Sequence, residues 1–218
     1  MNEEYSYALD NCTLPWLMLD FECPWRDILH EVEQLDEWIP YRESRGKNWS
    51  SLALHGVGGE YGNVYHEELE HVRYDWTSIA DKCPKTKDFL QNRAGIISHE
   101  RTRFMKIDPG GSIFLHNDRD IEDSALTLEM MGPSILHFSI QHPKECIFHV
   151  AGWGYIPINN GSTWLFSNVW NHECINNGDK PRYHILTNGC RMDSEFWNPI
   201  VMNSWKNFIN GYNNVKFQ

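Results

Sequence analysis

Basic residues are scarce in this chain: 19 Lys and Arg stand against 30 Asp and Glu, a formal net charge of −11. Such a surface repels phosphate backbones and anionic lipid headgroups, so neither nucleic acid nor membrane is an expected partner. There is also no run near the roughly 20 apolar residues that a membrane span requires. The opening MNEEYSYALDN lacks a basic stretch followed by an apolar one, so no secretory leader is expected. The six cysteines (Cys12, Cys23, Cys83, Cys146, Cys174, Cys190) are scattered and form no CxxC pair. Reduced thiols, no disulfide framework and a cytoplasmic location are therefore expected. No internal repeat and no low-complexity linker divides the chain.

Aromatics, in contrast, are plentiful. Ten Trp and ten Phe within 218 residues at 41% hydrophobic content can fill a substantial core. In CPWRDILHEVEQLDEWIP, Trp25, Ile28, Leu29, Val32, Leu35 and Trp38 recur at steps of three and four, which predicts a helix over 25–38 with Pro24 suited to its first turn. WSSLALHG reads as a short strand closing on Gly56, and the Gly-rich turn GVGGEYG follows. PKTKDFLQNR predicts a second helix ending near Gly95. From residue 100 the texture changes to short β-runs: TRFMKI, SIFLH, SILHFSI, CIFHVAG, GYIPI, STWLFS, HECI and RYHILTN. Close spacing of this kind predicts a sandwich or a jelly-roll barrel with helices packed outside. In the tail, Trp197, Val201, Trp205 and Ile209 have the spacing of a covering helix.

Two histidine patterns attract a metal reading. YHEELEH carries His66 and His71 with glutamates between them, but five positions on a helix put them about 140° apart, so a solvated helix face is the better description. The second is SIFLHNDRD, residues 112–120. On an extended segment His116 and Asp118 share a side and lie about 6–7 Å apart, as two ligands of one ion would. With 11 His and 13 Asp in the chain, roughly 0.7 His-x-Asp triplets arise by chance, so the pattern alone decides nothing.

Its company matters more. Oxygenases that use Fe(II) hold the metal with two His and one carboxylate on one face, leaving positions open for other ligands. STWLFSNVWNHECINNGDKPRYHI supplies His172 at the start of a predicted strand and Arg182 on the next strand, across the turn NNGDKP. A guanidinium fork there suits the distal carboxylate of 2-oxoglutarate. His137, inside the apolar run SILHFSI, reads equally as a hydrogen-bonded core histidine and as a site residue. His55, His142, His149 and His184 read as structural, and Trp164 and Phe166 as core.

Taken in order, LALHG, CPKT with Leu90 downstream, RTRFMKIDPGGSIFLHND, ILHFSI and GSTWLFSNVWNHECINNGDKPR resemble the aspartyl/asparaginyl β-hydroxylase family of Fe(II)/2-oxoglutarate dioxygenases, which also holds bacterial hydroxylases of free proline. The likeness covers residues 52 to about 188. It implies a mainly β fold with flanking helices, a double-stranded β-helix of the jelly-roll, cupin-like type. On that expectation residues 1–218 form a single domain, with 1–99 as helices and short strands packing on the barrel, 100–190 as the jelly-roll catalytic core and 191–218 as the covering helix.

Carried over to this chain, the resemblance implies that His116, Asp118 and His172 ligate Fe(II), that Arg182 binds the distal carboxylate of the cosubstrate 2-oxoglutarate, and that His137 contacts the same cosubstrate. The family's animal members have lost the carboxylate at the position of Asp118; this chain keeps it. It departs from the family in the longer stretch RDIEDSALTLEMMGPS, residues 119–134, beside the metal position. The implied reaction consumes O2 and 2-oxoglutarate, releases succinate and CO2, and hydroxylates an unactivated C–H of an amino acid or of an Asp/Asn-type side chain in a peptide or protein. Candidate substrate contacts are Arg103, on the strand leading into the site, Arg119, beside Asp118, and the aromatic wall at Trp170. The competing readings are a non-redox jelly-roll metalloenzyme, isomerase-like, and a non-catalytic barrel for a small ligand.

Overall fold

The computed structural model describes residues 15–41, 43–62, 73–118, 136–166, 170–188 and 190–214. Along the chain these residues form β1 (Trp16–Leu19), α1 (Trp25–Val32), β2 (Ile39–Pro40), a 3-10 turn (Glu43–Arg45), β3 (Gly46–Val57) and β4 (Tyr74–Trp76). Next come α2 (Ser78–Lys82), α3 (Pro84–Asp88) running into a π-turn (Phe89–Arg93), β5 (Ile96–Ser98) and β6 (Arg101–His116). The second half holds β7 (Leu136–Gln141), β8 (Cys146–Val150), β9 (Gly154–Tyr155), β10 (Thr163–Phe166), β11 (His172–Asn176), β12 (Arg182–Asn188), β13 (Arg191–Met192) and α4 (Ser194–Asn214). Among the described residues no helix is long and apolar enough to cross a membrane. His66 and His71 lie outside the described residues.

Eleven strands share one curled antiparallel sheet, ordered β1-β10-β7-β12-β6-β11-β8-β9, with β3 against β6 and carrying β2 and β4. The sheet therefore takes β1 and β3 from the part of the chain expected to pack outside the barrel. Their main-chain groups need partners like any others, and β10 and β6 present open edges to receive them.

Strand β6 organises the fold. TRFMKI and SIFLH, expected as separate strands, are one continuous strand that bends at Pro109-Gly110-Gly111. Gly110 has φ of 72°, the left-handed region that favours glycine. At Gly111 a Cβ would come within 2.8 Å of the Asp108 carbonyl oxygen and 2.9 Å of that of Asn48, so only glycine fits. Before the bend β6 pairs with β12 (Arg103 opposite Leu186); after it, β6 pairs with β11 (His116 opposite His172). One strand thus carries Arg103 and His116 into the same interior.

Alternation along the strands then sorts residues between two cores. On β12, Tyr183 and Ile185 face an outer core shared with Ile28, Phe89 and Trp197 from the helices. Arg182, His184 and Leu186 face the barrel interior. Strand β7 does the same: Leu136, Phe138 and Ile140 join the outer core while His137 points inward. The inner core holds Phe148, Trp164 and Phe166.

Helix α1 stops at Val32 rather than reaching residue 38. Leu35 still reaches the core from the turn that follows, and the Trp38 indole donates to the Leu35 carbonyl at 3.0 Å, so the apolar spacing is satisfied without helix. The tail forms the expected covering helix. It is pinned by the Trp197 indole, which donates to the carbonyls of Ala94 and Gly95, both at 3.0 Å.

Candidate active site

The interior holds a cavity of about 230 Å³ whose lining includes His116, Asp118, His137, His172, Arg103 and Arg182. His116 ends β6 and His172 begins β11, directly opposite each other, so backbone pairing sets the two imidazoles 4.5 Å apart between ring centroids. Asp118 follows β6 by two residues, with its Oδ1 3.4 Å from His116 Nε2. One ligand atom from each of His116, Asp118 and His172 falls within 4.8 Å of the others. Two ligand atoms held about 2.1 Å from one ion at right angles are about 3 Å apart, close to the His116–Asp118 spacing.

The tautomers suit a metal as well. His116 Nδ1 lies 2.7 Å from the Phe114 carbonyl and His172 Nδ1 lies 2.8 Å from the Trp170 carbonyl. A carbonyl only accepts, so each Nδ1 carries its proton and donates, and each Nε2 presents a lone pair. Burial lowers the His172 pKa, and His116 adds to this, while the Trp170 carbonyl and Asp118 oppose it. Phe148 lies parallel to the His172 ring at 5.7 Å, and the Arg182 guanidinium sits 5.8 Å from the same phenyl, so one side chain spaces the two groups.

Beyond the triad, the cavity wall is short of partners. Both ring nitrogens of His137, Nε and Nη1 of Arg103, and Nε of Arg182 are buried without a hydrogen bond among the described residues. Arg182 is 2% exposed and Arg103 7%. Neither makes an ion pair with a carboxylate among the described residues. Buried polar groups are normally satisfied, and a buried guanidinium without an anion is costly, so this wall presents unfilled hydrogen-bond donors and uncompensated positive charge to the cavity. Arg103 lies over the Tyr41 ring at 5.1 Å and His137 stacks on Trp164 at 4.0 Å, which fixes both while leaving their polar edges unfilled.

Trp170 is not among the residues lining the cavity. Its ring packs on Trp153 at 5.5 Å, and its link to the site is the carbonyl that holds His172. Arg119 lies outside the described residues, as does the segment 119–134. Trp164 is fully buried core, whereas Phe166 is buried and also lines the cavity. Of the histidines read as structural, His184 lines the cavity and bonds Arg182, while His142 lies outside the lining and bonds His184. The signal for His184 is present in Arg182-x-His184, since residues two apart on a strand share a face. Arg45, with Nη1 3.7 Å from Asp118 Oδ1, carries no such signal.

The site's imidazoles predict acid sensitivity. Burial first, then the Arg182 guanidinium, holds His137 and His184 well below the usual imidazole range and His142 at about 3. The unfolded chain titrates these groups near 6.5, so below that pH it binds protons that the folded protein cannot. The stability they contribute is complete above about pH 6.5 and is lost as pH falls toward about 3. Urea midpoints of the metal-free protein should therefore drop between pH 7.5 and pH 5; equal midpoints would mean that these rings are not held neutral.

Residues 22–191 match the aspartyl/asparaginyl β-hydroxylase family, and the chain belongs to it. A solved oxidoreductase of the 2OG-Fe(II) oxygenase family from Burkholderia pseudomallei is similar in fold, with a TM-score of 0.51 at 12% identity over 86% of this chain and 89% of that one. A Pseudomonas putida prolyl-4-hydroxylase superposes with a TM-score of 0.48 at 13% identity, over 86% of this chain and 98% of its own. Among curated sequences, a Pseudomonas aeruginosa protein with a provisional aldolase class 2 name, PA3430, is 28% identical over 123 residues, 49% of this chain. The chain spans about half the length of that relative, 46%.

Proposed function

We propose that the protein is an Fe(II)- and 2-oxoglutarate-dependent dioxygenase that hydroxylates an unactivated C–H of an amino acid, or of an Asp/Asn-type side chain in a peptide or protein, with release of succinate and CO2. One observation carries this reading: a two-His, one-carboxylate cluster with both Nε2 lone pairs presented, sharing a cavity with buried Arg182 and with His137, whose ring nitrogens are unfilled. His116, Asp118 and His172 would hold the iron, which supplies redox chemistry with dioxygen once 2-oxoglutarate is bound. Arg182 would bind the distal carboxylate of 2-oxoglutarate, and neutral His137 would donate one hydrogen bond to the same molecule. Phe148, Phe166, Met105 and Ile113 line the cavity and would exclude water around the reacting carbon.

Arg103 is the substrate contact this reading favours. Because Arg182 pairs with Ile107 and Leu186 with Arg103, the two arginines stand about 13 Å apart along the strand direction, far enough to hold two different carboxylates. Arg103→Gln should raise the Michaelis constant for the primary substrate roughly 10- to 150-fold, the equivalent of about 1.5–3 kcal/mol for a charged hydrogen bond, while the constant for the keto acid stays unchanged. A rise in both constants would place Arg103 on the cosubstrate instead. The acidic surface agrees with a substrate that is neither nucleic acid nor membrane, and buried thiols at Cys23, Cys83, Cys146, Cys174 and Cys190 agree with work in the cytoplasm. In this reading residues 1–218 work as one domain.

Anaerobic titration of the metal-free protein with Fe(II) and then 2-oxoglutarate tests the assignment. A weak visible charge-transfer band should appear on addition of the keto acid. Tight Fe(II) binding without that band would favour a non-redox metalloenzyme. Binding of the keto acid without metal would favour a non-catalytic barrel.

A further inference from the structure

We infer that His184, backed by His142, is a positioning residue that locks the Arg182 guanidinium in the cavity through a relay of single-direction hydrogen bonds. Arg182 Nη2 lies 2.7 Å from His184 Nδ1, His184 Nε2 lies 3.3 Å from His142 Nδ1, and His142 Nε2 lies 2.9 Å from the Cys146 carbonyl. The inference rests on the proposed role of Arg182 in binding 2-oxoglutarate.

The direction of the relay follows from its two ends. A guanidinium only donates, so His184 Nδ1 must be bare. A neutral imidazole has one N–H, which then sits on Nε2 of His184 and points at His142. His142 Nδ1 accepts it, the His142 proton lies on Nε2, and the backbone carbonyl of Cys146 accepts that in turn. No other assignment of neutral rings avoids two donors or two lone pairs facing each other. The groups facing His184 are Arg182 on its own strand, His137 on β7 and His142 just beyond it. None of them is an acid that would favour a charged ring, so the acceptor for Arg182 persists.

Arg182 has the most to gain from this arrangement. Without a carboxylate partner among the described residues, a long flexible cation has several ways to turn inside a cavity. His184 claims Nη2 and holds the plane of the fork, leaving Nε without a protein partner for a ligand carboxylate. An outer partner that orients a liganding group is typically worth about 10–100-fold in affinity.

The first experiment does not depend on cosubstrate. Long-range 1H–15N spectra of the metal-free protein at pH 7 should show His184 and His142 as neutral Nε2–H tautomers; an Nδ1–H tautomer or an imidazolium at either ring overturns the relay. The second is calorimetric titration of 2-oxoglutarate into the Zn(II)-loaded protein. His184→Phe should weaken binding at least about tenfold with Zn(II) affinity unchanged, and His184→Asn, which keeps an acceptor near Nδ1, should restore most of it. The same Phe variant should lose preference for 2-oxoglutarate over pyruvate, which lacks the distal carboxylate. If His184→Phe does not fold, the partly exposed His142→Ala serves, with a smaller loss in the same direction. Wild-type affinity in the folded variants, or equal losses in the Phe and Asn forms, overturns the inference. If the wild-type Zn(II) protein does not bind 2-oxoglutarate at all, the proposed function fails, and the tautomer spectra alone decide the relay.

Discussion

His172→Ala should leave a protein that folds but neither retains Fe(II) through dialysis nor turns over 2-oxoglutarate. His172 starts β11 opposite His116, its ring is wedged between Phe148 and the edge of Phe166, and its proton is held by the Trp170 carbonyl. No neighbour among the described residues is placed to substitute, because His116, Asp118 and His172 are the one group of possible ligands found there. The remaining His116 and Asp118 lie at one strand end, with Asp118 about a third exposed and also within reach of Arg45. The loss should far exceed the ~10–100-fold that removing an outer-shell partner causes. Metal content by elemental analysis, with a thermal melt to verify folding, checks this. Stoichiometric iron in folded His172→Ala would place the metal elsewhere.

The second large effect is expected at Arg182. Truncating one partner of a buried, hydrogen-bonded charge pair typically removes about 2–5 kcal/mol, so Arg182→Gln should weaken 2-oxoglutarate binding roughly 30- to 4000-fold. Arg182→Lys retains charge but not the planar fork, and its ammonium cannot meet both His184 and a carboxylate in the same geometry, so it should recover only a fraction of the loss. Ligand-induced stabilisation gives an independent readout. At about 100 times its Kd, 2-oxoglutarate should add about 2.7 kcal/mol to the stability of the wild-type metal-loaded protein and no more than about 0.9 kcal/mol to Arg182→Gln at the same concentration. A variant stabilised as much as wild type would show that the distal carboxylate binds elsewhere.

Much of the site is legible in the sequence because a strand has a period of two. That period marks the β-runs of the second half and suggests one side for His116 and Asp118, although β6 ends at His116 and Asp118 reaches the cavity from the bend beyond it. The same rule applied to RYHILTN pairs His184 with Arg182; His184 nevertheless reads as structural because one histidine in an apolar run more often satisfies itself in the core. The helix expected over 25–38 is too long for a related reason. Leu35 and Trp38 keep the apolar spacing, but core contact at Leu35 is made from a turn, and spacing alone does not distinguish the two.

The amino-acid sequence by itself determined the local terms. These are the acidic surface, the alternation that splits strands such as β7 and β12 between an outer core and the cavity, the glycines that permit the bend in β6, and the residue types able to bind a metal and a carboxylate. Tertiary structure alone decided the rest. His116 meets His172 only because the bent β6 leaves β12 and pairs with β11, a contact between segments far apart in the chain. The protonation pattern of the site is likewise non-local. Trp170 and Phe114 carbonyls fix the tautomers of the two candidate ligands, and His142, just beyond β7, fixes that of His184 on β12. Hydrogen-bond direction depends on which group closure of the sheet brings opposite each ring, and no reading of one segment contains that information.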